Sequence, residues 1–299
     1  MRRRVLPVLL ILSLAAAPAH LGAWGLESHR ELTGLALSML PDELKPFFES
    51  RRAFVVEHSV DPDLWRLAGF EDEAPRHFLD MDAYGAYPFT DLPREYDVAV
   101  QKFGREFVHR NGQLPWRIAE VYGNLVRSFE EIRKGGSPYA LDNAAFHAAV
   151  LAHYVGDAHV PFHAILNYDG QLTNQHGVHA RFESELVRRY RSRLDVRPVP
   201  VPAVTAPRDF AFATLLEGTK LADQVLAADL TAIGDGTTYD DAYFDRFFAL
   251  AKPTLEARLS QSAAAIAAAI AGAWEAAGRP EVPVEFPHRV RTRRVPAAK

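Results

Sequence analysis

Apolar residues recur every three to four positions along most of the chain, which is the period of an amphipathic helix. We find no internal repeat and no strand-rich region. A last helix is predicted from Pro253 to Ala277, where alanine, the best helix former, dominates. The helical period covers residues 31–48, 94–108, 117–132, 142–155, 179–194 and 209–230. The pattern therefore predicts an all-α fold.

Glycine and proline cluster between the predicted helices and mark their ends. These breaks are GGSP at 135–138, VRPVPVPAVTAP at 196–207 and GDGTTYDD at 234–241. The proline-rich break could link two domains, but the helical period resumes directly after it. We interpret it as a surface crossover, and we predict one mostly helical domain over residues 24–278 with a basic tail over residues 279–299.

The first 23 residues have the features of a signal peptide. Three arginines precede an apolar run from Val5 to Ala17, and small residues follow that run. A short membrane anchor is the alternative, but the run is too short to span a bilayer comfortably. We predict cleavage between Ala23 and Trp24, a secreted or periplasmic protein, and no transmembrane segment after cleavage.

The net charge and the absence of cysteine limit the kinds of partner and of metal ligand that the chain can have. The formal net charge of the 299 residues is −4, and leaving out the three arginines of residues 1–23 gives −7. An acidic protein is poorly suited to coating nucleic acid through bulk charge, although a bound dication could still attract phosphate locally. The chain has no cysteine, so any metal site must use nitrogen and oxygen ligands.

Histidines and a carboxylate cluster in the otherwise apolar segment AHYVGDAHVPFH, residues 152–163. His153 and Asp157 are four residues apart and therefore lie on one face of a helix. Pro161 ends that helix, and His163 follows just beyond its last turn, from where it can return to the same side. Buried ionisable groups cost several kcal/mol unless they are paired or bind a metal.

The next predicted helix repeats the four-residue spacing with His179 and Glu183. Solvated helix faces that carry simple ion pairs are the alternative interpretation. Two such pairs beside His163 favour a common metal site instead, as in helical bundles that bind metals through facing side chains. Nitrogen and oxygen ligands in a hydrolytic site suit zinc better than manganese or iron.

Three upstream segments add residues that could bind a metal. Taken alone, their acids could be turn or surface residues, and Trp24 could be an apolar cap on a new N-terminus. The candidates are Asp61 and Asp63 in SVDPDLWR, His77, Asp80 and Asp82 in RHFLDMDAY, and Trp24 and His29 in AWGLESHREL.

Together these motifs resemble those of the zinc-dependent phospholipase C and S1/P1 nuclease superfamily of secreted, all-helical phosphodiesterases. The most specific match is HYVGDAHVPFHA followed by HGVHARFE. It is similar to the family's His-x-x-x-Asp-x-x-x-x-x-His, followed by His-x-x-x-Glu or His-x-x-x-Asp. The matching blocks lie between Trp24 and Glu183, and the resemblance implies a helical domain around a trinuclear zinc cluster.

The resemblance implies that nine residues hold three zinc ions, with one aspartate bridging two of them. Trp24 would bind through its free amino group and its carbonyl oxygen. By position, the ligands are Trp24, His29 and Asp157 for the first ion, Asp157, Asp63, His77 and His153 for the second, and His163, His179 and Glu183 for the third.

Asp63 has a second implied role. It is preferred to Asp61 because Asp-Leu-Trp-Arg fits the family's Asp-x-x-Arg, and it would orient or deprotonate the attacking water as well as bind metal. His159 and His176 match no ligand position. The implied reaction is hydrolysis of a phosphoester bond by a metal-activated water.

The phosphodiester substrate stays open between two branches of the superfamily. Glu183 in place of aspartate, the short interval between His163 and His179, the HFLDMD stretch and the lack of disulfides favour a phospholipase C, which is the activity we predict. The spacing of Trp24 and His29 and the form GDAHVPFH favour a nuclease of single-stranded nucleic acid or 3′-nucleotides. Phe78 could pack against a choline head group, stack on a base, or be a core aromatic residue.

A secreted zinc-binding protein without catalytic activity is the third hypothesis. All nine ligand positions are occupied by ligand residues, which weighs against loss of turnover. Phosphoester hydrolysis that is abolished by a chelator would separate both enzyme hypotheses from this one.

Overall fold

The computed structural model of the protein describes residues 25–70, 72–135 and 137–286. Within these residues the regular elements are all helical, and the only β-type pairing is an isolated bridge between Leu79 and Gly112. The predicted all-α fold is therefore confirmed. The predicted signal peptide and Trp24 lie outside the described residues.

Four short helices open the described chain. They are α1 (Gly25–Ser38), α2 (Lys45–Ser50), α3 (Arg52–His58) and α4 (Asp61–Leu67). The helical period over residues 31–48 is divided between α1 and α2. Pro41 lies in the intervening turn, and proline is poorly tolerated inside a helix because it lacks the backbone N–H that the helix needs.

Two further short helices and two long ones follow. They are α5 (Tyr96–Phe103), α6 (Arg105–Arg110), α7 (Leu114–Lys134) and α8 (Ala140–Asp157). Gly104 separates α5 from α6 with φ of +89°, a backbone angle that favours glycine. The predicted helical stretch over residues 94–108 is thus two helices. The break predicted at 135–138 separates α7 from α8.

The C-terminal part contains the longest helices. One helical segment consists of α9 (Val178–Ala180), a π-helical turn (Arg181–Glu185) and α10 (Leu186–Tyr190). It is followed by α11 (Pro207–Ile233) and α12 (Asp241–Ala276). Short 3₁₀ turns at Ala74–His77, Met81–Tyr84, Pro161–Ala164 and Arg191–Arg193 complete the fold.

The start predicted for the last helix at Pro253 is wrong, because α12 begins at Asp241. The side chain of Asp240 accepts a hydrogen bond of 2.8 Å from the backbone N–H of Tyr243 and so caps the helix. Phe244, Phe247 and Phe248 are buried one to two turns later. These buried residues lie upstream of Pro253, so the helix includes a turn and more that the prediction left out, and Pro253 stands inside it.

Helix α8 lies at the centre of the molecule. Fourteen of its eighteen residues are buried, and it packs against α1, α3, α7 and α12. The exposed residues of this helix lie near its start, and from Ala148 to Asp157 every residue is buried, so the polar side chains there need partners inside the protein. His153, Tyr154 and Asp157 are the ionisable side chains among these buried residues.

The proline-rich segment at 196–207 crosses the surface of α12. The backbone N–H of Val204 donates to the carbonyl of Ala268 over 3.0 Å. At Gly272, a Cβ atom would come within 2.0 Å of the Val204 carbonyl oxygen, so only glycine allows this close approach. Helices α10 and α11, which the segment joins, both pack against α12, so the segment crosses the surface within one helical domain.

The packed body continues past the predicted boundary at residue 278. The indole of Trp274 donates to the carbonyl of Pro280 over 2.8 Å, and the side chain of Val282 is buried. Residues 287–299, the greater part of the predicted basic tail, lie outside the described residues. Among the helices that are described, none is both long enough and apolar enough to cross a bilayer.

Candidate metal centre

Asp157, at the C-terminal end of α8, lies fully buried among four histidines. Its Oδ2 atom is 2.9 Å from Nδ1 of His77 and 3.3 Å from Nε2 of His153. Its Oδ1 atom is 3.4 Å from Nε2 of His29 and 3.9 Å from Nδ1 of His163. The two oxygens face different imidazoles, as those of a carboxylate that bridges two cations would.

Eight of the nine residues predicted as ligands come together in the structure, and the ninth, Trp24, lies outside the described residues. They form three groups of buried residues, and in each group the ligand atoms lie within 4.8 Å of one another. The groups are His29, His153 and Asp157; Asp63, His77 and His153; and His163, His179 and Glu183.

His153 belongs to two of these groups and offers them a single nitrogen. Its Nδ1 is 2.8 Å from the carbonyl oxygen of Ser59, so this nitrogen carries the proton and donates it. Nε2 is the atom that faces the cluster, 3.1 Å from Nδ1 of His77. The ring also stacks on that of His29 at a centroid distance of 4.0 Å. With one nitrogen available, His153 can therefore bind one ion, although it borders two groups.

The residues present fit a dication. Several of their polar atoms are buried without a hydrogen-bond partner among the described residues, among them His29 Nε2, Asp63 Oδ2, Asp157 Oδ1 and His163 Nδ1. Buried polar atoms normally have partners, and leaving one without costs about 1–3 kcal/mol. Imidazole nitrogens and carboxylate oxygens that converge in a buried site are the donors that zinc prefers where no thiolate is present.

Glu73 holds the His77 ring from the side opposite the cluster. Its Oε1 is 3.6 Å from His77 Nε2 and accepts a hydrogen bond from the Tyr154 hydroxyl. Burial disfavours both charges, but the hydrogen bond with Asp157 and the nearby carboxylate of Glu73 raise the pKa of His77 to about 9. Against the same effect of burial, the nearby imidazole of His77 and the hydrogen bond from Tyr154 lower the pKa of Glu73 to about 2. Such a carboxylate orients a metal-binding imidazole.

Sequence reasoning missed Glu73, although it precedes His77 by four residues. We expect Glu73→Gln to weaken zinc binding by about 10- to 100-fold, the usual effect of losing a carboxylate behind a histidine ligand. The measurement is competition with a zinc-sensitive chelating dye. The matched control is Asp72→Asn, because Asp72 is the neighbouring acid and its exposed carboxylate pairs with His109 instead. Equal zinc affinity in both variants would contradict the role of Glu73.

The third group depends on the π-helical turn at Arg181–Glu185. His179 precedes this turn and Glu183 lies within it, and Nε2 of His179 is 3.0 Å from Oε2 of Glu183. A π turn inside a helix is rare and often marks a functional site. Between the two ligands, Arg181 points into the protein, where Nη2 and Nε donate to Oδ1 of Asp229 over 2.9 and 3.2 Å. The hydroxyl of Tyr243 also donates to Asp229.

Of the acidic residues in the upstream segments, Asp63 belongs to one of the three groups, and Asp61, Asp80 and Asp82 do not. Asp63 is buried, and Oδ1 accepts a hydrogen bond of 3.0 Å from Arg66. Asp61 pairs instead with His58 over 2.7 Å and lies outside the three groups. Oδ1 of Asp82 accepts from the backbone N–H of Leu166. Burial and the charge of Asp82 raise the pKa of Asp80 to about 7.

The two histidines that match no ligand position also lie outside these groups. His159 is buried, and its Nδ1 is 2.8 Å from the carbonyl of Val155. Burial and the nearby guanidinium of Arg258 lower the pKa of His159 to about 3, so the ring is neutral. His176 is exposed.

A cavity of about 400 Å³ opens onto two of the three groups, through Asp63 and His77 of one and His163 and His179 of the other. Arg66 and Arg110 lie on its wall together with Asp63 and Asp80. Phe78 also lies on the wall, so this ring faces the space that a substrate would enter. The wall includes Asp63, Arg66, His77, Phe78, Asp80, Arg110, Phe162, His163, Tyr168 and His179.

Comparisons with known proteins show a likeness in fold to solved structures. No protein-family model matches the chain, and no curated protein matches it. Among solved structures, the fold is similar to that of "Alpha Toxin from Clostridium Absonum", with 15% sequence identity and a TM-score of 0.46. The likeness covers 81% of this chain and 63% of that one, so the chain spans less than two thirds of the other's length.

Proposed function

We propose that the chain is a secreted zinc-dependent phosphodiesterase of the phospholipase C type. The observation that carries the proposal is the convergence of eight buried nitrogen- and oxygen-donor residues in three adjoining groups, two of which line one cavity. Arg66 and Arg110 on the cavity wall suit a phosphate group, because guanidinium groups bind phosphate oxygens well. Three zinc ions, held as the motif resemblance implies, complete the proposal.

Each group of residues has a role in this proposal. Asp157 would bridge the ions held by Trp24 and His29 and by Asp63, His77 and His153, and the third ion would lie between His163, His179 and Glu183. When bound, zinc supplies Lewis-acid polarisation of a phosphoryl oxygen and acidifies water. Asp63 would orient or deprotonate the attacking water in addition to binding metal, and Arg66, which donates to its Oδ1, would hold the carboxylate in place. Arg110 would attract the substrate phosphate.

A nuclease of single strands or 3′-nucleotides is the second candidate function. Phe78 and Tyr168 both line the cavity, and aromatic rings in such positions can stack on bases. The deciding experiment compares hydrolysis of phosphatidylcholine, single-stranded DNA and a 3′-nucleotide by the same preparation, with and without chelator. Chelator-sensitive turnover of phosphatidylcholine supports the proposal, turnover confined to the nucleic-acid substrates favours the nuclease, and no turnover with zinc bound favours a non-catalytic zinc protein.

Maturation is testable at the N-terminus. If the amino nitrogen and carbonyl oxygen of Trp24 bind zinc, the exported protein begins at Trp24. One additional residue would convert the amine into an amide, which is a poor zinc ligand, so that ion should be lost or loosely held. Intact mass and N-terminal sequencing, combined with zinc content, provide the measurement. Active, fully metallated protein that begins upstream of Trp24 would show that Trp24 is not a ligand.

Zinc binding should strengthen as the pH rises. A histidine must lose its proton to bind zinc, and its neighbours raise the pKa of His77 to about 9. Below that value the neutral fraction of His77 rises about tenfold per pH unit, and zinc affinity should rise with it. Calorimetric titrations with zinc from pH 6 to 9, in buffers that differ in ionisation enthalpy, would measure both affinity and proton release. Binding that is independent of pH, without proton release, would contradict the ligand set.

A further inference from the structure

Arg258, on the long helix α12, is an arginine buried in the interior, with 1% of its surface exposed. A buried charge is costly unless it is paired and hydrogen-bonded. Burial lowers the pKa of Arg258, and the charge and hydrogen bond of Glu217 oppose that shift. The Glu217 side chain is itself 54% exposed, so it is a partly screened counterion. The guanidinium must therefore be held largely by its other hydrogen bonds.

The hydrogen bonds of Arg258 join three parts of the fold. An arginine side chain carries five N–H donors, and those of Arg258 have five acceptors. Three of the acceptors are backbone carbonyls and two are side chains. Nε donates to His159 over 2.8 Å, Nη2 donates to Ala158 and Thr214 over 3.4 and 3.3 Å, and Nη1 donates to Glu217 Oε2 and Gln261 Oε1 over 2.9 and 3.0 Å.

Two of these carbonyls belong to the turn that directly follows Asp157 at the end of α8. The last carbonyls of a helix have no partner within the helix, and a positive charge suits that end. Here the carbonyls of Tyr154, Gly156 and Asp157 accept from the backbone N–H groups of residues 158–160. The carbonyls of Ala158 and His159 accept from Arg258 instead. Arg258 thus fixes the path of the chain as it leaves α8.

This turn separates two residues that the proposed function assigns to different ions, Asp157 and His163. Oδ1 of Asp157 is 3.9 Å from Nδ1 of His163, and both atoms are buried without a hydrogen-bond partner among the described residues. None of the five bonds of Arg258 goes to either side chain, so both keep their lone pairs for a metal. A displaced turn would change the distance between these two atoms.

We propose that Arg258 is a positioning residue of the metal centre. It holds the turn between Asp157 and His163, and so sets the distance between the bridging carboxylate and the group formed by His163, His179 and Glu183. The inference rests on the zinc centre of the proposed function, but it is independent of which phosphoester is cleaved.

Arg258 lies apart from the space that the substrate would enter. It lines a second cavity, of about 560 Å³, which shares no lining residue with the cavity at the metal groups. A substrate in the first cavity therefore does not meet Arg258. A substitution at this position can influence the reaction only through the protein, and its first effect should be on the binding and geometry of the metal.

The test compares two substitutions with a control that is equally internal. Arg258→Met keeps an unbranched chain without charge or donors, and Arg258→Lys keeps the charge with three donors. The control is Tyr122→Phe with Trp274→Phe, which removes two buried hydrogen bonds of 2.8 Å to the carbonyls of Val204 and Pro280, outside the metal groups and their cavity.

Three properties of the full-length, exported proteins are measured. Zinc affinity is obtained by competition with a chelating dye, and stability by chemical denaturation. The third property is the absorption spectrum after zinc is replaced by cobalt(II), because the spectrum of that ion reports the geometry of its ligands. Stability alone would respond to any buried hydrogen bond, whereas the affinity and the cobalt spectrum report the metal centre itself.

Arg258→Met should bind zinc about tenfold or more weakly than the parent protein, the usual effect of losing a group that orients metal ligands. Its cobalt spectrum should change as well. Arg258→Lys should fall between this variant and the parent, and the control should lose stability while its zinc affinity and spectrum stay parental. Lower stability of Arg258→Met with parental affinity and spectrum would overturn the inference. Should that variant fail to fold, parental affinity and spectrum in Arg258→Lys would overturn it.

Hydrolysis of phosphatidylcholine by the same preparations separates this inference from the proposed function. Weakened zinc binding in the Arg258 variants of a parent protein without turnover supports the positioning role and contradicts the proposed hydrolysis. Turnover by the parent, with zinc affinity and cobalt spectrum unchanged in both variants, overturns the positioning role alone.

Discussion

Replacing Asp157 by asparagine is expected to remove more than one zinc ion and to reduce turnover by on the order of 10³-fold or more. Asp157 faces four imidazoles with its two oxygens, at distances between 2.9 and 3.9 Å. Asparagine has nearly the same shape, but its neutral amide cannot bridge two dications or offset their charge. Zinc content by mass spectrometry and phosphodiesterase activity should therefore fall together.

The control for Asp157→Asn is His159→Gln. His159 lies two residues away, is equally buried and hydrogen-bonds to Val155 rather than to the cluster. Because burial and Arg258 keep this ring neutral by lowering its pKa to about 3, its loss should leave the zinc content unchanged. Loss of at most one ion from Asp157→Asn would show that the carboxylate does not bridge. An equal loss from His159→Gln would show that general destabilisation, and not ligation, removes the metal.

The spacing of residues within a single helical segment accounts for the part of the site that could be predicted from the sequence. His153 and Asp157, and likewise His179 and Glu183, are four residues apart, so helical periodicity alone puts each pair on one face. His29, Asp63 and His77 come from other elements, and only the motif resemblance suggested that they join the cluster. Their meeting depends on packing around α8, which no local pattern encodes.

The residues that orient the metal-binding side chains could not be predicted from the sequence, for a related reason. Ser59 acts through its backbone carbonyl, which every residue possesses, so its role against His153 leaves no signal in the sequence. Arg181 and Asp229 are 48 residues apart, and each resembles a surface charge on an amphipathic helix. Only the packing of α11 against the π-helical turn reveals that both are buried.

The second large expected effect is a loss of stability when the buried Arg181–Asp229 pair is broken. Asp229→Ala should lower the free energy of unfolding by about 3–5 kcal/mol, the usual cost of leaving a buried charge without its partner. Asp229 is fully buried and accepts hydrogen bonds from Arg181, from Tyr243 and, over 2.8 Å, from Gln175. Typical domains have a total stability of only about 5–15 kcal/mol, so the shift should be evident in chemical denaturation.

The same substitution should act selectively on one group of ligands. Arg181 lies between His179 and Glu183 on the π-helical turn, so a displaced guanidinium should loosen the ion proposed for that group. At low denaturant, where Asp229→Ala is still folded, its zinc content should fall by about one ion. Competition with a chelating dye would resolve this loss as one weakened site beside two unchanged ones.

Asp241→Asn is the matched control, because Asp241 also pairs with an arginine of the same helical segment, Arg189, over 2.7 Å. The Asp241 side chain is 93% exposed, and exposed ion pairs contribute little because water and salt screen them. We therefore expect its unfolding curve and zinc content to match those of the parent protein. Equal destabilisation by the two substitutions would mean that burial of the Arg181–Asp229 pair does not increase its contribution to the free energy of unfolding. Destabilisation by Asp229→Ala with full zinc occupancy would confine the pair to a structural role, separate from the metal ligands on either side of Arg181.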